Sequence, residues 1–156
     1  MCRAISRLGT TTISSTNQTR VPRAAIDTGA LLALASPRDQ YHAQAVQIGR
    51  RFAAEGGRWV GTALVLAEFH GHLLKWRGPA LARRILAALL RDPVYEWRDA
   101  TLELIEGAMS GWLERFDDQR FSLTDAVTFE LMRQEGIGVA FAFDEDFRTA
   151  GFELLS

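Results

Sequence analysis

Apolar positions along the chain alternate between short continuous runs and helical spacing, and the changes of period mark out the elements. Ala24, Ala25 and Ile26 form a short apolar run, which predicts a first strand over 24–26. Leu31, Leu32 and Leu34 follow at helical spacing. Ser36-Pro37 has the cap and first-turn chemistry of a second helix over about 38–55, and Gly56-Gly57 stops it. A second strand is predicted over 58–61, after which Thr62 is placed to cap a third helix running to about Trp76. Gly78-Pro79 separates that helix from a fourth ending near Arg91, and residues 94–97 read as a short edge strand or an extended loop. The remaining pattern predicts a long helix over about 100–116, a helix over 122–135 and a strand over 139–143. A short helix over 144–150 and a last strand over 152–155 complete it. Strands alternating with helices imply an α/β fold, a central mostly parallel sheet flanked by helices on both faces.

Residues 1–20 break this pattern. They are rich in Ser and Thr, lack apolar periodicity, and read as a disordered N-terminal extension ahead of one domain over 21–156. The first 26 residues hold Arg3, Arg7, Arg20 and Arg23 and no acid, whereas Asp27 onward has fourteen bases against nineteen acids, a net of −5. Such a body offers no broad basic face, so any nucleic acid must be met by a few arginines or by bound cations. Cys2 is the only cysteine, which excludes an internal disulfide and suits a reducing cytoplasm. No uninterrupted apolar run of about 18 residues is present, so no membrane span is expected.

Four acids sit where chemistry is expected, and each also has a structural explanation. Asp27 ends the first strand, the position where open α/β sheets place ligands, but it also suits a helix N-cap. Glu68 lies in the most apolar stretch of a helix, where a lone buried carboxylate is costly; otherwise it faces solvent alongside Lys75. Ser122-Leu-Thr-Asp125 matches a capping box. Asp144 ends the strand 139–143 and reads as a cap, with Asp146 as a first-turn acid favoured by the helix dipole. Jointly they describe an acidic rim on one side of the sheet, unstable unless cations neutralise it. Oxygen ligands of this kind suit Mg²⁺ or Mn²⁺, which activate water and stabilise phosphoryl oxygens.

The segments Asp-Thr-Gly-Ala-Leu-Leu-Ala-Leu after the first strand and Ala-Glu-Phe on a middle helix carry a resemblance to a known family. So do Leu-Thr-Asp-Ala at a late helix and Phe-Asp-Glu-Asp-Phe before a final Ala-Gly-Phe. Their order and spacing resemble PIN-domain ribonucleases of the VapC-like subgroup over residues 23–156. The resemblance implies a PIN-like three-layer sandwich. It places Asp27, Glu68, Asp125 and Asp144 in the four catalytic acidic positions. Asp27, Asp125 and Asp144 would be metal ligands, the first two most directly. Asp146 is then an auxiliary acid, with Thr28 and Thr124 positioning water or phosphate. It further implies an RNA substrate, a homodimer, and a cognate antitoxin that fills the groove. A free-standing PIN nuclease in RNA processing, or a non-catalytic PIN-fold protein-binding module, is the alternative.

Other signals do not rise. His70 and His72 are about 200° apart around a helix and cannot share one metal, and His42 reads as a surface or packing residue. A dehalogenase-like phosphotransfer site needs a second Asp where Gly29 stands; a receiver-like site needs a late lysine, and Lys75 is the only lysine. Trp59, Trp76, Trp97 and Trp112 read as core or dimer-interface residues, with RNA stacking the lesser reading for one of them.

Overall fold

The computed structural model describes residues 21–156; the predicted disordered extension over 1–20 lies outside the described residues. Strands β1 (Arg23–Ile26), β2 (Arg58–Thr62), β3 (Tyr95–Arg98), β4 (Val139–Phe141) and β5 (Glu153–Leu154) form one sheet, ordered β3-β2-β1-β4-β5. Every pairing is parallel, so the sheet is more uniform than the mostly parallel one expected. Residues 94–97 resolve in favour of an edge strand. The chain builds outward from β1 through β2 to β3, then crosses to the other side of β1 to lay down β4 and β5. This reversal opens a crevice between the carboxyl ends of β1 and β4, where doubly wound sheets bind ligands.

Side chains alternate across the strands and feed two cores. Ala25, Val60 and Ala140 point to one face and pack under α4 (Leu102–Ala108), α5 (Leu123–Glu135) and α6 (Asp146–Thr149). Ala24, Ile26, Trp59 and Phe141 point to the other, under α1 (Thr28–Ala35), α2 (His42–Ala54) and α3 (Ala63–Arg91). The result is the three-layer sandwich. Phe129 of α5 centres the first core, with ring contacts to Trp112, Phe121, Phe147 and Phe152. Alanines at the middle of β1 let both helical layers approach closely.

Three boundaries depart from expectation. Helix α2 begins at His42, not near 38, because Asp39 Oδ1 accepts from Tyr41 N at 2.8 Å and Asp39 N donates to the Ser36 carbonyl. That turn competes with the helix and delays it. The long helix expected over 100–116 is α4 followed by a π-helical turn at Met109–Leu113. Gly107 and Gly111 leave room there for the Glu130 carboxylate, to which Trp112 Nε1 donates at 3.1 Å. Finally, β4 ends at Phe141 and Asp144 stays outside any helix, its Oδ1 accepting from Asp146 N at 2.7 Å, so α6 starts at Asp146. The break at Gly78 falls as predicted: its φ of 75° is open to glycine at little cost, and Pro79 restarts the helix.

Candidate active site

Asp27 follows β1 directly, at the mouth of the crevice. It caps α1, with Oδ2 accepting from Gly29 N at 2.9 Å. A Cβ at residue 29 would stand 3.0 Å from that oxygen, so glycine lets the carboxylate fold back over the helix start. The N-cap explanation is therefore correct, yet it does not exhaust the residue. Burial pushes the Asp27 carboxyl up to about 7, and repulsion from Asp125 and Glu68 adds to this against the backbone N–H groups of Gly29 and Thr28. Crowded by other acids, Asp27 holds its proton far more readily than an exposed carboxyl does.

Asp125 likewise has two roles. The predicted capping box is formed: Ser122 Oγ accepts from Asp125 N at 3.1 Å, and Asp125 Oδ2 accepts from Ser122 N at 2.8 Å. Oδ1 has no hydrogen-bond partner among the described residues. Parallel topology brings the start of α5 to the same side of the sheet as Asp27, so one oxygen holds the helix while the charge reaches the crevice. Glu68 is exposed on α3, as its solvent-facing explanation required, and still lies close enough to raise Asp27. Burial also raises the carboxyl of Asp146, with Asp144 and Asp125 adding to it.

Asp144 meets Asp27 in a different way. Both line a cleft of about 310 Å³ together with Asp39, Tyr41, Trp76 and Phe143. Asp27 thus links two groups, facing Asp125 and Glu68 by charge and Asp144 across the cleft. Thr28 is buried behind it with Oγ1 unpartnered, while Thr124 is half-buried in the first turn of α5. Among the described residues, no three His, Cys, Asp or Glu side chains converge closely enough to enclose an ion by themselves. The donor set nevertheless fits a hard divalent cation. All its atoms are oxygens, one buried hydroxyl is unsatisfied, and Mg²⁺ is commonly held by one or two carboxylates with several retained waters.

The PIN domain family model matches residues 24–153, nearly all of the described chain. The chain belongs to the PIN-domain family. It is 42% identical over 66 residues to the 23S rRNA-specific endonuclease VapC20 of Mycobacterium tuberculosis, in strains CDC 1551 and H37Rv alike. That match covers 42% of this chain and 50% of those proteins, so the chain spans about half the length of the curated relatives it matches. The crystal structure of M. tuberculosis VapC20, a sarcin–ricin loop cleaving toxin, superposes with a TM-score of 0.72 at 33% identity. It covers 83% of this chain and 95% of that one. VapBC2 of Rickettsia felis, bound to promoter DNA, superposes at 0.61 with 13% identity over 85% and 96% of the two chains, a likeness of fold alone.

Sequence reasoning missed part of this PIN domain's cleft. Asp39, Tyr41 and Phe143 have no role in the sequence reading, which takes Trp76 as a core or dimer-interface residue and leaves RNA stacking as the lesser reading for one of the four tryptophans. Trp59 and Trp112 are indeed buried and Trp97 half-buried, but Trp76 is 56% exposed. Its signal was its place just before Gly78-Pro79, at the tip of a helix segment. His42 packs as expected, its Nδ1 donating to the Ala33 carbonyl at 2.7 Å.

Proposed function

We propose that this PIN domain is a metal-dependent endoribonuclease, the toxin of a toxin–antitoxin pair, that hydrolyses a phosphodiester bond in ribosomal RNA. The observation that carries the reading is the half-buried Asp27 carboxylate, crowded by Asp125 and Glu68 at the topological switch of a parallel sheet. The VapC20 relatives, named for cleavage of 23S rRNA and of its sarcin–ricin loop, supply the substrate class.

Asp27 and Asp125 would hold Mg²⁺ or Mn²⁺, with Asp144 joining from across the cleft. When bound, the cation supplies Lewis acidity to the phosphoryl group and makes water a nucleophile near neutral pH. Gly29 N and the α1 start keep Asp27 Oδ2 aimed, and the capping box does the same for Asp125. In this reading Glu68 would accept a proton from the attacking water, and Asp146 would extend the acidic rim beside Asp125. Thr28 and Thr124 offer hydroxyls to water or phosphate. We place the enzyme in the cytoplasm, as a homodimer whose cognate antitoxin occupies the cleft. A cleft lined by Asp27, Asp39 and Asp144 and by no Lys or Arg suits a basic side chain of such a partner. No described helix is long and apolar enough to cross a membrane.

The test is incubation of the purified protein with ribosomal RNA and a sarcin–ricin loop oligoribonucleotide in chelator, Mg²⁺ and Mn²⁺. Discrete cleavage in either metal and none in chelator is expected. Intact RNA under all three conditions overturns the assignment.

A further inference from the structure

The cleft beside Asp27 poses a binding problem that its acids cannot solve. Its lining contains three carboxylates and no cationic side chain, so contacts to RNA phosphates contribute little affinity there. What the lining does contain is aromatic. Trp76 leaves 56% of its surface in solvent, at the last turn of α3 before the break at Gly78, and Tyr41 is 39% exposed. Tyr41 is stacked on Phe143 with centroids 4.4 Å apart and planes within 6°, which fixes that ring pair in orientation. Trp76 is not part of this stacked pair; its one ring contact among the described residues is with His72, tilted by 56° at 5.5 Å. Its large flat face is therefore held on a rigid helix without a stacking partner of its own.

Size and polarity select the occupant. At about 310 Å³ the cleft is at the small end of ligand sites, room for one planar ring system and not for a helix of RNA. Carboxylates at Asp39 and Asp144 and the Gln40 amide offer acceptors to the amino edges of a base. An apolar peptide side chain would leave the same groups unpaired. Along α3 the rise from Glu68 to Trp76 is roughly 12 Å, a span of about two nucleotides from the acidic rim.

We propose that Trp76 is the stacking platform for one unpaired base of the RNA, about two nucleotides from the phosphate that is cut. The inference rests on the nuclease reading above and names how that site holds its substrate. Trp76 is a binding residue here, and the reacting atoms stay with the acids.

The experiment compares wild type with W76A, W76L and W76F on an oligoribonucleotide that wild type cleaves, together with a series of that RNA carrying one abasic position each. Loss of a stacked base costs roughly tenfold or more in kcat/KM for W76A and W76L, while W76F stays within about threefold of wild type. One abasic position should cost wild type the same factor and cost W76A nothing further. Because Trp76 is exposed, circular dichroism and sedimentation should be unchanged in all three variants. Cleavage by W76A and W76L at the wild-type rate overturns the proposal, as does a loss in W76A that no abasic position shares. A change of oligomeric mass in W76A would assign the indole to a protein partner and equally overturn it. If wild type cleaves no RNA, the nuclease reading falls and this inference with it; the other outcomes leave that reading standing.

Discussion

Two carboxylates in this molecule, the buried Glu130 and the half-buried Asp27, are treated in opposite ways. Glu130, 3% exposed on α5, accepts from Trp112 Nε1, from Arg133 and from Gln134 Nε2 at 2.8 Å, and the Arg133 guanidinium holds its carboxyl down at about 2. Asp27, at the carboxyl end of β1, faces Asp125 and Glu68 instead, and burial holds its carboxyl up at about 7. Elsewhere on the sheet, Arg23 and Arg98 pair with Glu96 and Glu135, whereas no arginine lines the cleft beside Asp27. A partnered buried acid belongs to the fold. Asp27 has backbone N–H donors but no cationic partner, and it is where the proposed cation would bind.

The largest expected consequence is on catalysis. Asp27→Asn should lower metal-dependent RNA cleavage by roughly a thousandfold, since removing even one aimed polar group costs about 10²–10³. Glu130→Gln should leave kcat unchanged at temperatures well below its melting point. Single-turnover cleavage of both variants checks the contrast, and an Asp27→Asn protein with wild-type kinetics would break it.

The second consequence is a pH dependence of opposite sign. The raised Asp27 carboxyl means that the metal-free native state keeps a proton which the unfolded chain gives up near pH 4. Its contribution to stability therefore declines as pH rises from about 4 to about 7, at up to about 1.4 kcal/mol per unit. Asp27→Asn removes that slope. In chelator it should match wild type near pH 4 and exceed it at pH 8 by on the order of a few kcal/mol. Millimolar Mg²⁺ or Mn²⁺ should close the gap by stabilising wild type alone. The depressed Glu130 carboxyl keeps its stabilising effect above about pH 4 and loses it only as pH falls toward 2. Urea titrations at pH 5 and 8 distinguish the two. Equal slopes for wild type and Asp27→Asn would show that Asp27 is no more perturbed than a surface acid.

Smaller again is the cost of weakening the partnered acid. Glu130→Gln should destabilise by about 2–3 kcal/mol, because charge-assisted bonds in a buried site are lost. The difference from wild type should be flat between pH 5 and 8. A melt indistinguishable from wild type would mean that Arg133 and Trp112 do not depend on it.

The smallest expected effect is at the residue that belongs to both categories. Asp125→Asn weakens a cap worth about 0.5–1 kcal/mol and relieves repulsion on Asp27, so its stability in chelator should lie within about 1 kcal/mol of wild type. Its gain in melting temperature on adding metal should nevertheless be clearly smaller. If Asp125→Asn responds to metal as wild type does, the capping box is all that Asp125 contributes.

The capping box at Ser122, the caps at Asp27 and Thr62, and the helix break at Gly78 were legible because each is decided within four residues of chain. The alternation of strands and helices was legible for the same reason, since burial on one or two faces writes its period directly into the sequence. Asp27, Glu68, Asp125 and Asp144 could be named as candidates, but their residue types and neighbours were equally consistent with four unrelated surface acids.

Only the tertiary structure shows which of those acids lie near one another. The strand order β3-β2-β1-β4-β5 places the crossover between β1 and β4, and this alone puts Asp27 and Asp144, 117 positions apart, on one cleft. The same packing buries Glu130 against Gly107 and Gly111 beside Arg133, while it half-buries Asp27 among other carboxylates with no cationic side chain in the cleft. Whether an acid is paired, and with what sign of charge, depends on contacts distant in sequence that local pattern does not encode. Trp76 lies between Lys75 and Arg77 just before the Gly78 break in α3 and is exposed, whereas Trp59 lies in β2 between Arg58 and Val60 and is buried; that Trp76 lines the cleft beside Asp27 is a matter of packing. Local chemistry determined the elements of this protein, and their packing decided which of its charges remained unsatisfied.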